Sequence, residues 1–198
     1  MAWIKTITPE EAQGDLKKEY DTAMDFWGYV PHLWSVQGLN PEVMHATMNL
    51  HKAIMLGPSS LSRQEREMIA VVVARTLGSK YCTDVHGENL RALSHDDRFV
   101  RLIKIDYRML LLEDRARAML DFAARLTKDP HSADPEAIQE LHDKGLTDED
   151  ILNLVQVTGF QNYMVRLANS LGVEPDNHEP APMVSKSSAK AMESLRKS

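Results

Sequence analysis

Residues 61–86 read LSRQEREMIAVVVARTLGSKYCTDVH, and the fold turns on whether this stretch is strand or helix. Val71, Val72 and Val73 taken alone favour a strand. The residues before them favour a helix, because the Ser62 hydroxyl can accept from the Glu65 backbone N–H while the Glu65 side chain reaches back to Ser62. About 15 residues then precede Gly78, too many for an ordinary strand. Met68 to Ala74 contains no polar residue, so this helix is expected to be buried nearly all round. Gly78 ends it, and Ser79 has N-cap chemistry for a second helix. The fold class is therefore all-α, with a central buried helix pair over residues 61–93.

The second helix carries the only cysteine of the chain, Cys82, and His86 follows four residues later, so thiol and imidazole share one helical face. Cys82 falls at the third helical position, where free N–H groups and the dipole favour a thiolate. A protonated His86 would add to this, while ionised Glu67 and Asp84 would oppose it. Lowering a thiol pKa from about 8.5 to about 6.5 raises the thiolate fraction at pH 7 from about 3% to about 75%. The plain alternatives are a buried, inert cysteine, a first-turn carboxylate at Glu67 and a structural hydrogen bond at His86.

Glu67, Cys82 and His86, at this spacing, resemble the signature of the AhpD-like, carboxymuconolactone-decarboxylase-type superfamily, and most nearly its peroxidase-related branch. The resemblance runs from the opening WIKTITPEEA to RLANSLGVEPD. In AhpD-type alkyl hydroperoxidases the motif is a glutamate, a Cys-x-x-Cys pair and a histidine. Glu67 falls on the glutamate, Cys82 on the second cysteine and His86 on the histidine, while Ser79 occupies the first cysteine position. The resemblance implies an AhpD-like helical fold and a thiol-dependent oxidoreductase that reduces hydroperoxides without a cofactor. Cys82 would attack the peroxide, Glu67 and His86 would relay protons, and Ser79 and Tyr81 would shape the pocket. With Ser79 in place of a cysteine, the oxidised state cannot be the usual internal disulfide. A sulfenic acid on Cys82, resolved by an external thiol, is the remaining two-electron route. The resemblance also implies a homo-oligomer. Two other readings stay open: a metal enzyme using Glu67, Cys82 and His86 as ligands, and a non-catalytic or regulatory oligomer that keeps the fold.

The chain has 198 residues, 43% of them hydrophobic, and a formal net charge of −6. That balance excludes a general nucleic-acid surface, which needs a basic stripe. A single cysteine excludes an internal disulfide framework and suits a reducing compartment. No stretch approaches the roughly 18 apolar residues of a membrane span, and a cytoplasmic protein is expected.

Around the central pair, Thr8, Pro9 and Glu11 predict a helix start with Thr8 as cap, running to about Phe26. Trp27 to Pro31 reads as an aromatic turn packed against the core or a subunit neighbour, with Trp34 beside it. Asn40, Pro41 and Glu42 start a helix with Val43, Met44, Met48, Leu50 and Ile54 inward, ending at Gly57 and Pro58. His45 and His51, about 600° apart round that helix, are expected at or near the surface. Further helices are expected from Asp96 through Ile103, over 112–128, and from Asp134 to Gly145. Leu146, Thr147 and Asp150 then repeat the start seen at Leu61. Superimposing Leu61 on Leu146 puts Leu152 on Glu67, Met164 on Ser79 and Leu167 on Cys82, so the second copy, about 112–173, carries no chemistry. Asn162, Tyr163 and Arg166 are weaker candidates to line the Cys82 pocket. Residues 1–178 are expected to form the domain and 179–198 a polar tail, with a short helix over Ala189 to Lys197.

Overall fold

The computed structural model describes residues 2–176. Among them the regular elements are all helical: α1 (Gly14–Trp27), α2 (His32–Ser35), α3 (Pro41–His51), α4 (Arg63–Thr76), α5 (Lys80–Ser94), α6 (Asp97–Asp106), α7 (Asp114–Lys128), α8 (Pro135–Asp143) and α9 (Asp148–Ser170). No helix among the described residues is long and apolar enough to cross a membrane. The tail at 179–198 and its expected short helix lie outside the described residues. The described residues divide into two units, one made of residues 2–57 with 167–176, the other of residues 58–166.

In the first unit the pairing expected at Thr8 forms: the Thr8 N–H donates to Glu11 Oε2 at 3.2 Å and the Glu11 N–H to Thr8 Oγ1 at 3.4 Å. Only a single turn follows. Gln13 is extended and Gly14 has φ +57°, a conformation that glycine adopts at no steric cost, so α1 begins at Gly14 rather than near Pro9. It buries Leu16, Tyr20, Ala23 and Phe26, the i, i+4, i+7 stripe of an amphipathic helix.

Asn40 caps α3 by accepting from the Val43 N–H. The buried stripe of this helix is Met44, Thr47, Met48 and His51. Val43 and Leu50, expected inward, are 45% and 49% exposed, because they lie one position off that stripe. The helix then widens into a π-turn over Lys52–Leu56, with the Gly57 N–H donating to Lys52 O at 2.8 Å. Met55, which continues the stripe of Met44, Met48 and His51, is fully buried, and Ile54 is half-buried. His51 is also buried, against expectation, with its ring 5.7 Å from Trp34 and 6.1 Å from Trp27. The aromatic turn therefore packs inside its own unit, with Trp27 and Trp34 centroids 5.7 Å apart. His45 is on the surface, where Glu19 and Asn49 bond its two ring nitrogens.

The second unit is built on α4. Its capping box is complete: Glu65 N–H donates to Ser62 Oγ and Ser62 N–H to Glu65 Oε2. Every residue from Arg66 to Ala74 is buried. A valine costs a few tenths of a kcal/mol in helix propensity, whereas burying its side chain stabilises by about 1.5–3 kcal/mol, so packing outweighs the strand preference of Val71 to Val73. Gly78 adopts φ +70° and Ser79 caps α5, its hydroxyl accepting from the Cys82 N–H at 3.4 Å. Asp96 caps α6 and Asp134 caps α8, each accepting from the backbone N–H three residues on.

The second Leu-Thr-x-x-Asp start forms the same box, Thr147 with Asp150, at 3.0 and 3.2 Å. Arg115 of α7 bonds the acids of both boxes, Glu65 and Asp150. The likeness stops after the start. Tyr163 stands where Gly78 would superimpose, and α9 runs on without a break where α4 gives way to α5. Asn162 donates to Thr127 Oγ1 at 3.0 Å and accepts from Arg166 at 2.6 Å, and Tyr163 is 41% exposed. Asn162 thus ties α9 to α7, and Arg166 bonds Asn162 from one turn along α9.

Candidate active site

Glu67 lies one turn into α4 and is fully buried, where an isolated carboxylate would be very costly. Its two oxygens are shared out. Oε1 accepts from Arg63 Nε at 2.9 Å and Arg63 Nη2 at 2.5 Å, and Oε2 is 2.7 Å from His86 Nδ1. Asn89, one turn beyond His86, places Nδ2 3.4 Å from both oxygens. Burial pushes the Glu67 carboxyl up, but Arg63 and His86 outweigh it and hold the group down to about 2. Glu67 is therefore an anion, and an anionic carboxylate only accepts. The proton between it and His86 belongs to Nδ1, so that in a neutral ring the nitrogen with the lone pair is Nε2.

Cys82 sits one turn before His86 on α5, and both are buried. Its surroundings reverse the expectation of a thiolate. Burial pushes the Cys82 thiol up to about 11, with a hydrogen bond from Ser79 offsetting part of this. The N-terminal position on α5 is as expected, but desolvation of a thiol that is only 2% exposed outweighs what a helix end supplies. Asp84 stands apart from this chemistry, paired with Lys80 and with Lys104 of α6, each at 2.7 Å.

The expected residues thus divide into a bonded pair, Glu67 with His86, and a thiol one helical turn away, with Ser79 fixing the backbone at Cys82. Tyr81 is buried at the adjoining position of α5. Among the described residues, no three His, Cys, Asp or Glu side chains are arranged to hold a metal ion. Both Glu67 oxygens and His86 Nδ1 are already engaged with one another and with Arg63. Arg63 and Asn89 were not singled out from the sequence. The signal was present in the spacing, since Arg63 precedes Glu67 by four residues and Asn89 follows His86 by three, both on shared helical faces.

The family model for the carboxymuconolactone decarboxylase family matches residues 41–101, which span α3, α4, α5 and the start of α6. A solved structure of an uncharacterized peroxidase-related protein from Silicibacter sp. TM1040 is 30% identical, covering 92% of this chain and 95% of that one, with a TM-score of 0.84. An uncharacterized peroxidase-related protein from Ralstonia eutropha JMP134, described as an alkylhydroperoxidase AhpD core, is 27% identical over 89% of this chain and 93% of that one, at 0.81. The debrominase Bmp8, solved as a cysteine-to-alanine variant with 2,3,4-tribromopyrrole, shares the fold at 17% identity, 98% and 100% coverage and 0.69. No curated protein sequence matches the chain. The chain belongs to the AhpD-like, carboxymuconolactone decarboxylase superfamily.

Proposed function

We propose that this protein is a single-cysteine hydroperoxide reductase that takes its electrons from an external thiol. The observation that carries this reading is the 2.7 Å bond between buried Glu67 and His86 Nδ1, on the helix that also bears Cys82. It leaves His86 Nε2 as a base one turn from a thiol that does not ionise unaided. His86 takes the Cys82 proton as sulfur attacks the terminal oxygen of the hydroperoxide. The S–O bond forms, the O–O bond breaks, and the departing alkoxide collects a proton to leave as the alcohol. Cys82 is then a sulfenic acid. One thiol displaces water from it to give a mixed disulfide, and a second thiol releases Cys82 as the free thiol. Overall, one hydroperoxide and two thiols become an alcohol, water and a disulfide. Glu67 holds the ring in the required tautomer rather than accepting the thiol proton itself. Membership of the superfamily and the likeness to peroxidase-related structures support the same reading.

Cys82→Ser should abolish peroxide consumption in the presence of a small thiol, with the fold retained. Mass spectrometry of the wild type after one equivalent of peroxide should find one added oxygen on Cys82, replaced by a mixed disulfide when the thiol is supplied. Undiminished turnover by the serine variant would place the chemistry elsewhere.

The reading includes a homo-oligomer. Ile105, Met109 and Leu111 are exposed within one short stretch of the second unit, Leu111 completely, and clustered apolar exposure of this kind is typical of contact surfaces. Light scattering should give a mass at least twice that of the chain; a monomer would refute it.

A further inference from the structure

Arg63 is the first residue of α4, next to the Ser62 cap, and the capping box fixes the backbone from which its side chain starts. The side chain returns along the helix to place Nε and Nη2 on Glu67 Oε1, the face of the carboxylate that His86 does not use. Its side chain is 16% exposed, against none for Glu67 and 10% for His86. Cation, anion and imidazole thus form one bonded line with the fully buried carboxylate at its centre.

We propose that Arg63 is a positioning residue: its charge keeps Glu67 ionised and His86 neutral, so that the His86 Nε2 lone pair is free for the Cys82 thiol. This rests on the reading of His86 as the base for Cys82. With Arg63 in place, the buried Arg63, Glu67 and His86 group is electrically neutral. Without that cation, Glu67 and His86 form a buried unit of charge −1. Such a unit captures a proton more readily whichever partner carries it, because two interacting groups titrate as a pair. The captured proton removes the base.

Of the other charges, Arg66 acts on Glu67 through space, but the hydrogen bonds to the carboxylate come from Arg63, His86 and Asn89. Arg66, also on α4, is buried, and burial pulls its proton affinity down, with Arg63 acting the same way and Glu67 against it. On α5, Asp84 is engaged by Lys80 and by Lys104 of α6, and the Cys82 thiol is neutral. Arg115 of α7 is held by Glu65 and Asp150.

The test compares Arg63→Met, Arg63→Gln and Arg63→Lys in the full chain. The His86 ring is followed by NMR titration, its signals identified by their loss in His86→Gln. Removing a cation at hydrogen-bond distance should raise the midpoint of the pair by about 1–2 pH units, a roughly 10- to 100-fold gain in proton affinity. Met and Gln should shift alike, since Gln keeps a donor but no charge, and Lys should restore the wild-type midpoint. An unchanged midpoint in a folded Gln variant, or equal shifts for Lys and Gln, would overturn the proposal. The acid limb of the pH–rate profile for peroxide should move with the NMR midpoint. If the protein consumes no peroxide, the ring titration alone still decides whether Arg63 has this role.

Discussion

Glu67→Gln is expected to destabilise the fold by about 3 kcal/mol at pH 7, the low end of the cost of breaking a buried ion pair from one side. The low end applies because Arg63 sits near the edge of the unit and can turn partly to water. A carboxylate that merely complemented the dipole of α4 would contribute about 0.3–1 kcal/mol. The geometry decides between the two figures: Glu67 is fully buried and its oxygens are divided between Arg63 and His86.

The pH dependence gives an independent check. Burial opposes ionisation of Glu67, but Arg63 and His86 bring its carboxyl from the ordinary 4.5 down to about 2. Between these values the unfolded chain binds a proton that the folded chain does not. The contribution of Glu67 is therefore fully present above pH 4.5 and is lost as pH falls towards 2. The displacement corresponds to about 3 kcal/mol, and full burial leaves little for solvent to screen. Urea unfolding of wild type and Glu67→Gln should differ by that amount at pH 7 and converge near pH 2. A gap under about 1 kcal/mol at pH 7 would reduce Glu67 to a helix-start carboxylate. Gln also donates as well as accepts, so His86 Nδ1–H is no longer enforced and peroxide attack should slow.

The features legible in the sequence are those whose cause lies within four residues. Ser62 with Glu65, Thr147 with Asp150, and the caps at Ser79, Asp96 and Asp134 are all contacts between a side chain and its own next turn. The sequence supports a helix over Val71 to Val73 because the capping box and the length of the segment outweigh a local preference. Features that depend on packing were not legible. Gly14 restarts α1 despite a good signal at Thr8, and His51 is buried against the rings of Trp27 and Trp34. Of the candidate residues, the placement of Glu67 on one helix and of Cys82 and His86 on the next, with Ser79 as its cap, could be read from spacing. The state of the thiol could not, because it depends on how completely neighbouring side chains exclude water from Cys82.

Cys82 in the folded protein should react with iodoacetamide at pH 7 at least about 300-fold more slowly than in the unfolded chain. Burial raises the thiol to about 11 despite the hydrogen bond from Ser79. An unperturbed thiol near 8.5 is about 3% thiolate at pH 7, whereas one at 11 is about 0.01%, and only the thiolate is a competent nucleophile. Exclusion of the reagent from a side chain 2% exposed adds to that factor. The pH profile separates this state from the one that a helix N-terminus alone would produce. A thiol at about 11 reacts about tenfold faster for each pH unit up to about pH 10, whereas a thiol near 6.5 reaches a plateau just above neutrality. Stability should carry the same signature with the opposite sense. From about pH 9 to about pH 11 the unfolded chain has lost the thiol proton and the folded chain has kept it, so the wild type should lose stability there relative to Cys82→Ser. A flat alkylation rate from pH 7 to 9 in the native protein would mean that Cys82 and His86 rest as a thiolate–imidazolium pair. The proton would then pass to His86 before the peroxide arrives, and the attacking thiolate would be present in advance rather than formed during the attack.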